Sequence, residues 1–517
     1  MATSYSNRLT AGRVRFLHIF SLCFIQFFLG IFYLNSVPRI YIDEAWDASI
    51  GYELAQKGVL RQPFIHNFGG MEVYFVQPRV VLPIICAGVF KITGYSIVIS
   101  RLPSLLFGVL AVIALYHVVE YFFGDKQSFF VCLATIINPW FWVTSRRCRP
   151  EIYYVAFALV FLWLLISYFR QQRAWTAFFV GIFAALASLS HPNGLLIVAA
   201  ISISWIIWKE KPHLFKLILW ALAGFILFFL PYAIYAFWAS SQPSVSFFGQ
   251  MHGGAIYGSM LAREMVRWKS FLRLPVGIPV ALVVFAAWLS AWWKSTDEDK
   301  LAATIVIIYP LSLLPMSVDA MACYLVAVLP FFSILIVRFV FRMNKIDILN
   351  IGWIRYIFNP AVISIYIFSS LVPIILMLYF QRNADFNYVV DEVVKVVGPK
   401  SLVHAEPVFW VGHDRYIYGP YLQTYDEVKL KDAFQWAYSQ SFDYAIRTSW
   451  VNGPSLGLHK LPNKMPAFRS YLVTDNLCKY FGTKVHEFYN EQYGPVEIYK
   501  LDWSTAWKWK LEKQKIK

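Results

Sequence analysis

The sequence has few charged residues for its length. Only 15% of its 517 residues are Asp, Glu, Lys or Arg, whereas a soluble protein usually has about 25%. Hydrophobic residues make up 58%, so we predict a membrane-embedded protein and exclude a soluble one. Basic residues outnumber acidic ones, 46 to 30, but they bracket apolar runs. Membrane topology and anionic lipid explain this excess, and no nucleic-acid partner is expected.

Several signatures of other protein classes are also missing. None of the six cysteines forms a C-x-x-C pair, and most lie in apolar runs, so we interpret them as small core residues. The sequence has no phosphate-binding glycine loop, no H-E-x-x-H helix and no evident Ser-His-Asp order. The first apolar run, 17–34, is too long for the hydrophobic part of a cleaved signal and no small-residue cleavage site follows it. It is therefore predicted to be a retained membrane anchor.

Apolar runs follow one another over the first 380 residues and are separated by short charged turns. At about 20 residues for each crossing, they predict about eleven transmembrane helices. The positive-inside rule places the basic turns, such as those near Arg15 and Arg342, in the cytoplasm. Acid-bearing segments, such as those at Asp43 and Glu151, then face the opposite side. This agreement requires the short run 80–92 to lie at the membrane interface without crossing it.

The composition changes at about residue 381 toward that of a soluble domain. Helical periodicity is present at 387–397, and strand patterns are present at 401–405 and 444–448. A hairpin is predicted between 485 and 501, around a Gly-Pro turn. Residues 381–517 are therefore predicted to form a soluble α/β domain, which lies outside the cytoplasm by the same topology.

Three carboxylates fall within five residues directly after the first apolar run, at Asp43, Glu44 and Asp47. Charged groups beside a membrane are costly to desolvate, so a cluster at one membrane boundary indicates a functional site. The cluster opens the first outer loop, which is predicted to span residues 35–78. Asp47 lies one turn further along the predicted helix and is interpreted as a bystander.

Other acidic and basic side chains are predicted on the same outer face. A carboxylate takes a proton from an attacking hydroxyl, and an arginine fork binds phosphate oxygens. Together these groups predict a reaction on an anionic, lipid-linked substrate. The further candidates are Glu72, Glu151, His66, His191, Arg101, Arg147, Arg149, Arg263, Arg267 and Lys269.

Each of these candidates also has a structural explanation. Glu44 is suited to the first turn of a helix, where carboxylates are stabilised by the helix dipole. Glu151 is suited to an ion pair with a neighbouring arginine, and His191 to a hydrogen bond with a backbone carbonyl. The basic residues of the run 263–273 have helical spacing, which fits a lipid-headgroup face as well as contact with a donor phosphate.

Five short motifs occur in a fixed order within the first 194 residues of the chain, and the third of them is Asn138-Pro139. Asp43-Glu44-Ala-Trp follows the first helix, and Arg101-Leu-Pro-Ser opens the next long run. The arginine-rich segment 145–151 and Ser190-His-Pro-Asn-Gly194 come later. In this order they resemble membrane glycosyltransferases of the GT-C superfamily, over residues 10 to 340. The nearest branch is that of the protein O-mannosyltransferases and the lipid A aminoarabinose transferases.

The resemblance implies an α-helical polytopic membrane protein with a GT-C-like catalytic region at 1–380 and an extracytoplasmic α/β domain at 381–517. Members of the family take a sugar from a polyprenyl-phosphate donor on the non-cytoplasmic side. Asp43 occupies the place of the family's catalytic base. Glu151 stands where the family often has Asp.

Two departures from the family pattern concern the donor phosphate. The family often has Lys-Pro-Pro-Leu where the first loop re-enters the membrane, but here segment 69–75 has no lysine. The family's common Thr-Lys-Pro is replaced by Ser190-His191-Pro192, so His191 is expected to stand in as a cation or a hydrogen-bonding group.

The implied reaction is a single displacement that inverts the sugar. Asp43 accepts the proton of the acceptor hydroxyl as its oxygen attacks the anomeric carbon, while arginine and histidine side chains hold the leaving polyprenyl phosphate. Glu44 or Glu151 orients the base. Asp43 and Glu151 are also candidate ligands for a divalent cation, Mg or Mn, and no other cofactor is expected.

The expected partners are the polyprenyl-phosphate sugar donor, membrane lipid and an acceptor that is a protein, a lipid or a glycan. The expected location is the bacterial inner membrane, with the N-terminus in the cytoplasm and the C-terminal domain in the periplasm. A lipid-linked sugar flippase or transporter without transfer chemistry is the main alternative, although it requires charges at the bilayer midplane and related halves. A non-catalytic scaffold is a second alternative, but it leaves the acidic cluster unexplained.

Overall fold

Long apolar helices dominate the first 380 residues of the computed structural model. The structure describes residues 2–63, 69–210, 212–252, 265, 267–269, 277–293, 295–316, 322–343, 352–382, 386–398, 401–405, 409, 441–448, 472–490 and 494–505. The helices up to residue 381 are α1 (Ala2–Ile31), α2 (Ile42–Lys57), α3 (Val81–Thr93), α4 (Ile97–Phe123), α5 (Asp125–Ile136), α6 (Pro139–Thr144), α7 (Glu151–Gln171), α8 (Ala174–Ser190), α9 (Pro192–Trp208), α10 (Leu214–Ser240), α11 (Phe247–His252), α12 (Gly277–Ser290), α13 (Asp297–Met316), the 3-10 helix Ala322–Val328, α14 (Leu329–Met343) and α15 (Gly352–Gln381).

The prediction of a multi-pass helical membrane protein is confirmed, while the number of crossings remains a prediction. Among the described residues, the helical segments long and apolar enough to cross a membrane are Gly12–Ile31, Ile97–Phe123, Glu151–Gln171, Leu214–Ser240, Cys323–Met343 and a sixth that begins at Asn359 within α15. Shorter apolar helices are Val81–Thr93, Ala174–Ser190, Pro192–Trp208 and Ala281–Ser290. The first of these is α3, which has 13 residues, the length that the interfacial interpretation requires.

The predicted outward run between residues 128 and 144 is two helices, not one. Helix α5 ends at Ile136, and the side chain of Asn138 then caps α6 by accepting the backbone N–H of Trp140 at 3.0 Å. Pro139 occupies the first turn of α6, where its missing N–H costs nothing. The short α6 leads directly into the arginine-rich segment 145–150.

Helix α7 lies at the centre of the helical bundle. In the most apolar stretch of α7, 78% of the residues are buried inside the protein, whereas only 17% are buried in the corresponding stretch of α10. Helix α10 therefore faces outward. Helices α8 and α10 approach closely at Gly181. A Cβ atom at this position would lie only 1.8 Å from the carbonyl oxygen of Ala221. Small residues at such crossings are typical of membrane helices. The buried α7 gives its first residue, Glu151, a rigid support.

The described residues of the C-terminal region form helices and a small sheet. Its elements are α16 (Phe386–Val396), β1 (Val403–His404), β2 (Tyr444–Thr448), α17 (Leu472–Phe481), β3 (Gly482–Asn490), β4 (Gly494–Leu501) and the 3-10 helix Trp503–Thr505. The sheet order is β1-β2-β4-β3, with β1 and β2 parallel and the other pairs antiparallel. The predicted strand at 444–448 and the predicted hairpin agree with this sheet. The division of the chain at residue 381 remains a prediction.

Candidate active site

Helix α2 begins with two carboxylates in its first turn, Asp43 and Glu44. The backbone N–H of Tyr41, the residue before the helix, donates to Glu44 Oε1 at 3.1 Å. The first N–H groups of a helix have no partner within it, and the dipole there favours negative charge. Local sequence alone therefore places two carboxylates at this helix start.

Glu44 is held in a buried set of hydrogen bonds. Its two oxygens accept from Nε and Nη2 of Arg101, both at 2.9 Å, and Oε2 also accepts the backbone N–H of Cys148 at 3.1 Å. Arg101 is fully buried and also donates to the carbonyl of Leu34 at 2.9 Å. Glu44 thereby joins α2, α4 and the arginine-rich segment, an arrangement typical of an anchor. Its catalytic role remains a prediction.

Asp43 and Glu151 share a single guanidinium, that of Arg149. Arg149 Nη1 lies 2.6 Å from Asp43 Oδ2, and Nη2 lies 2.6 Å from Glu151 Oε1. Arg149 Nε donates to both oxygens of Glu151 at 3.1 Å. The side chain of Glu151 is fully buried, whereas that of Asp43 is 16% exposed. Of the carboxylates in this cluster, Asp43 is therefore the one an acceptor reaches most easily.

Asp47 and Arg79 form a second ion pair that the sequence analysis missed. Arg79 Nη2 donates to both oxygens of Asp47 at 2.9 Å, and Asp47 is 1% exposed. Burial raises the pKa of the Asp47 carboxyl to about 7, and the charge of Arg79 offsets only part of this increase. Asp47 is thus buried and paired within the cluster, and its interpretation as a bystander in the reaction remains a prediction.

Arg79 is a cation close to segment 69–75, which contains no lysine. It follows Pro78 directly, where the first loop is predicted to return to the membrane. The next backbone N–H, that of Val80, donates to the carbonyl of Leu189 at 2.9 Å. This bond places Arg79 close to His191. A basic residue directly after the re-entry proline is the signal that would have identified it.

His191 is a neutral hydrogen-bonding group in this site. Its Nδ1 accepts the backbone N–H of Asn193 at 3.1 Å, which caps α9 and leaves the ring proton on Nε2. Burial lowers the pKa of His191 to about 3, and the positive charge of Arg79 acts in the same direction. Of the two expected roles, the cationic one is therefore disfavoured and the hydrogen-bonding one is kept.

The remaining arginines of segment 145–150 differ in their surroundings. Arg146 donates to the carbonyls of Leu29 and Val37 at 2.9 and 2.7 Å, and also to that of Phe32. Burial lowers the pKa of Arg146 well below its usual range, and its contacts secure the end of α1. Arg147 Nε lies 3.9 Å from Glu44 Oε1, at the edge of the cluster.

The other candidates fall into two groups, those that the structure describes and those outside the described residues. His66 and Arg263 belong to the second group. Glu72 is half-buried in the returning part of the first loop, and Lys269 is exposed. Arg267 is fully buried and within electrostatic range of the Tyr309 hydroxyl. Contact of these residues with substrate remains a prediction.

The returning part of the first outer loop is held in place by Gln250 of α11. Gln250 Oε1 accepts the backbone N–H of Val76 at 2.9 Å, and Nε2 donates to the carbonyls of Gly69 and Tyr74 at 3.0 and 2.7 Å. Gly69 has a φ of 59°, and a Cβ there would lie 2.6 Å from the backbone of Gln250. No sequence pattern indicated this contact between loops about 174 residues apart.

Asp43 and Glu151 do not fit a shared cation in this arrangement. The guanidinium of Arg149 lies between them, 2.6 Å from one oxygen of each. Among the described residues, no group of three or more His, Cys, Asp or Glu side chains is arranged to hold a metal ion. The predicted divalent cation therefore has no support from the geometry of these two carboxylates.

An apolar cavity of about 630 Å³ borders the charged cluster. Its lining includes Val80, next to Arg79, and Leu189, two residues before His191. Leu54 of α2 and Tyr232 of α10 line other parts of it. Two residues of the cavity lining therefore adjoin members of the charged cluster in the chain, an arrangement that suits an amphipathic lipid phosphate.

A family model of dolichyl-phosphate-mannose-protein mannosyltransferases matches residues 77–236. The matched segment contains Arg79, Arg101, Arg149, Glu151 and His191, and it begins after Asp43. No curated protein matches the chain. The resemblance predicted from the motifs is confirmed by this family match.

Solved structures of two kinds of glycosyltransferase have a similar fold. ArnT from Cupriavidus metallidurans in the apo state has a TM-score of 0.64 at 13% identity, covering 96% of this chain and 98% of that one. ArnT bound to undecaprenyl phosphate has a TM-score of 0.61 at 12% identity, covering 93% and 97%. The apo oligosaccharyltransferase of Archaeoglobus fulgidus has a TM-score of 0.53 at 11% identity, covering 84% and 69%. The predicted GT-C-like fold is confirmed.

Proposed function

We propose that this protein is a membrane glycosyltransferase that moves a sugar from a polyprenyl-phosphate donor to an acceptor hydroxyl. The observation that carries the proposal is the position of Asp43, a partly exposed carboxylate in a cluster of buried arginines. The adjoining apolar cavity has room for part of a lipid chain. The family match and the structure of ArnT with undecaprenyl phosphate support the same class of donor.

The proposed reaction is a single displacement at the anomeric carbon. The acceptor oxygen forms a bond to that carbon while its proton passes to a carboxylate oxygen of Asp43. The bond between the anomeric carbon and the phosphate oxygen breaks, and the electron pair leaves with the polyprenyl phosphate. Attack from the face opposite the leaving group inverts the configuration.

The arginines of the cluster are suited to the charge that develops on the leaving phosphate. Guanidinium groups that are already buried and oriented stabilise such charge without reorganisation during the reaction. The positive charges of Arg79 and Arg149 both act on His191. The Nε2–H of His191 is an additional donor for a phosphate oxygen.

We place this reaction on the non-cytoplasmic face of the membrane, with the C-terminal domain on that face. The positive-inside distribution of Lys and Arg supports this orientation. A bacterial inner membrane with a periplasmic active site is the proposed location. The acceptor belongs to the protein, lipid or glycan class.

Transfer from a labelled donor tests the proposal. Membranes containing the wild-type protein, incubated with a labelled polyprenyl-phosphate sugar, are expected to transfer label covalently to an endogenous acceptor. Asp43→Asn should lower this transfer by about 100- to 10,000-fold, the usual contribution of a general base. Asp391→Asn is the matched control, because Asp391 is exposed on α16.

Two outcomes would contradict the proposal. Full transfer by a folded Asp43→Asn variant would remove Asp43 from the role of base. Movement of the labelled lipid across the membrane without covalent transfer would instead support a flippase.

A further inference from the structure

The two edges of the Arg149 guanidinium are held unequally. The edge formed by Nε and Nη2 makes three contacts with Glu151, at 3.1, 3.1 and 2.6 Å. The remaining nitrogen, Nη1, pairs with Asp43 Oδ2 at 2.6 Å. Glu151 therefore fixes the orientation of the guanidinium, while the pairing with Asp43 is the contact most easily exchanged.

The surroundings of Arg149 support the same division. Glu151 is fully buried at the start of the central helix α7, and the ring of Tyr41 lies 5.2 Å from the guanidinium carbon. Asp43 is on the more exposed side. A ligand that enters the site from that side meets Nη1 and Asp43 before it meets Glu151.

This arrangement creates a chemical conflict for a base. While Asp43 Oδ2 is paired with Arg149 Nη1 at 2.6 Å, that oxygen has one lone-pair position fewer for the proton of an acceptor hydroxyl. A phosphate is a good alternative partner for the same nitrogen, since it offers several anionic oxygens. Asp43 and a lipid phosphate would therefore compete for Arg149 Nη1.

We infer that Arg149 is a donor-operated switch that releases Asp43 for catalysis. Without donor, Nη1 pairs with Asp43. When the donor binds, its phosphate takes Nη1, and the freed carboxylate accepts the proton of the acceptor hydroxyl. Glu151 is then a positioning residue that holds the other edge of Arg149. This inference rests on the proposed function, and it explains how base activation would depend on a bound donor.

Competition between Asp43 and phosphate gives the inference an unusual consequence. Removing the negative charge of the proposed base should strengthen phosphate binding, not weaken it. For undecaprenyl phosphate as the probe, Asp43→Asn is expected to lower the Kd by about 10- to 100-fold, the range expected for one charge-assisted hydrogen bond. The double variant with Arg149→Gln should lose this gain completely.

Three controls separate the headgroup contact from other effects. Undecaprenol has the same chain without the phosphate, so its affinity should be equal in the wild type and all variants. Asp391→Asn should leave both affinities unchanged. Arg149→Lys keeps the charge but not the fork, so it should weaken undecaprenyl phosphate binding while undecaprenol binding stays the same. This variant also tests the inference if Asp43→Asn does not fold.

Kinetics provide an independent readout for Glu151. Glu151→Gln keeps the shape but loosens Arg149, so it should raise the donor KM by about 10-fold or more and leave part of kcat. A purely catalytic Glu151 would lower kcat at an unchanged KM, and that result would overturn its positioning role.

The failure of this inference is distinguishable from the failure of the proposed function. Equal or weaker phosphate binding by folded Asp43→Asn would overturn the switch, even if that variant has no transfer activity. Tighter phosphate binding by Asp43→Asn with full transfer activity would instead overturn the role of Asp43 as base. It would still support competition between Asp43 and the lipid phosphate for Arg149 Nη1.

Discussion

The carboxylate of Glu44 and the guanidinium of Arg101 form a two-point hydrogen-bonded pair, although 57 residues separate them in the chain. Both contacts are 2.9 Å, and Arg101 is fully buried. The pair connects the helix that carries Asp43 to the long helix α4. Its burial indicates that it matters more for the shape of the site than for the reaction.

Loss of one partner of this pair should destabilise the protein. Glu44→Ala or Arg101→Ala leaves a buried charge without its counterion, a change that typically costs about 3–5 kcal/mol. Thermal unfolding followed by tryptophan fluorescence should show a clear decrease in Tm for each variant. Arg447→Ala breaks a partly exposed ion pair with Asp475, and it should have little effect.

The double variant Glu44→Ala/Arg101→Ala distinguishes an anchor from a catalytic residue. The double variant leaves neither charge without a counterion. Its decrease in Tm should therefore be smaller than the sum of the decreases in the two single variants. An unchanged Tm in Glu44→Ala together with complete loss of transfer would indicate that Glu44 acts in the chemistry.

The helical part of the fold was predictable because its signals are local. Run length and hydropathy identify a membrane helix without knowledge of its neighbours, and the short run at 444–448, which contains Tyr, Ile and Thr, identifies a strand. The break between α5 and α6 was also predictable from Asn138-Pro139, a cap followed by proline. That signal was overlooked because the whole run is apolar.

The partners within the site were not predictable, because they depend on tertiary contacts. The sequence predicts that Asp43, Glu151 and Arg149 share one face, but not that Arg149 lies between the two carboxylates. It provides no reason to pair Asp47 with Arg79, 32 residues later. His191 is neutral because it is buried. The sequence around it has the composition of a polar turn between two helices and does not indicate that burial.

Two substitutions of His191 should separate its contact with the helix from its contact with substrate. His191→Asn keeps an acceptor for the N–H of Asn193, whereas His191→Gln places an N–H donor near the position of Nε2. If Nε2–H binds the donor phosphate, the Gln variant should retain more kcat/KM than the Asn variant, by about tenfold. Steady-state transfer assays with circular dichroism as a folding check measure this difference. Equal activities would remove His191 from the phosphate site.

Gln250 is predicted to control the order of the first outer loop. Gln250→Ala removes three hydrogen bonds to backbone groups between Gly69 and Val76, each worth about 0.5–1.5 kcal/mol. Hydrogen exchange measured by mass spectrometry should become faster in that segment and stay constant in α7. Gln171→Ala, at the exposed end of α7, is the matched control. Unchanged exchange in the loop would show that the contact is unimportant in solution.

Metal chelation should leave transfer activity intact. The guanidinium of Arg149 lies between Asp43 and Glu151 and pairs with both, so these carboxylates need no divalent cation to lie close together. Assays with EDTA and with added Mg²⁺ or Mn²⁺ are expected to give equal rates. A loss of activity with EDTA that either ion restores would contradict this prediction and would indicate ligands other than this pair.

The C-terminal region should lose stability as the pH falls because of His404. This side chain is 2% exposed in β1, with Nδ1 3.1 Å from Thr474 Oγ1, and burial lowers its pKa to about 3. A histidine in the unfolded chain has the ordinary pKa of about 6.5, so the unfolded chain binds a proton that the folded chain rejects. The contribution of His404 to the free energy of unfolding is therefore fully present above about pH 6.5 and is lost as the pH falls toward 3.

Limited proteolysis of the full-length protein at about pH 7.5 and about pH 5, on either side of the unfolded-state pKa, measures this effect. Cleavage within β2, β3 and β4 should be faster at the lower pH in the wild type. His404→Gln should reduce the pH dependence, because the amide does not titrate in this range. His486→Gln is the control, since His486 is about one-third exposed and lies outside this buried contact. A pH dependence that His404→Gln leaves unchanged, but His486→Gln removes, would assign it to the exposed histidine.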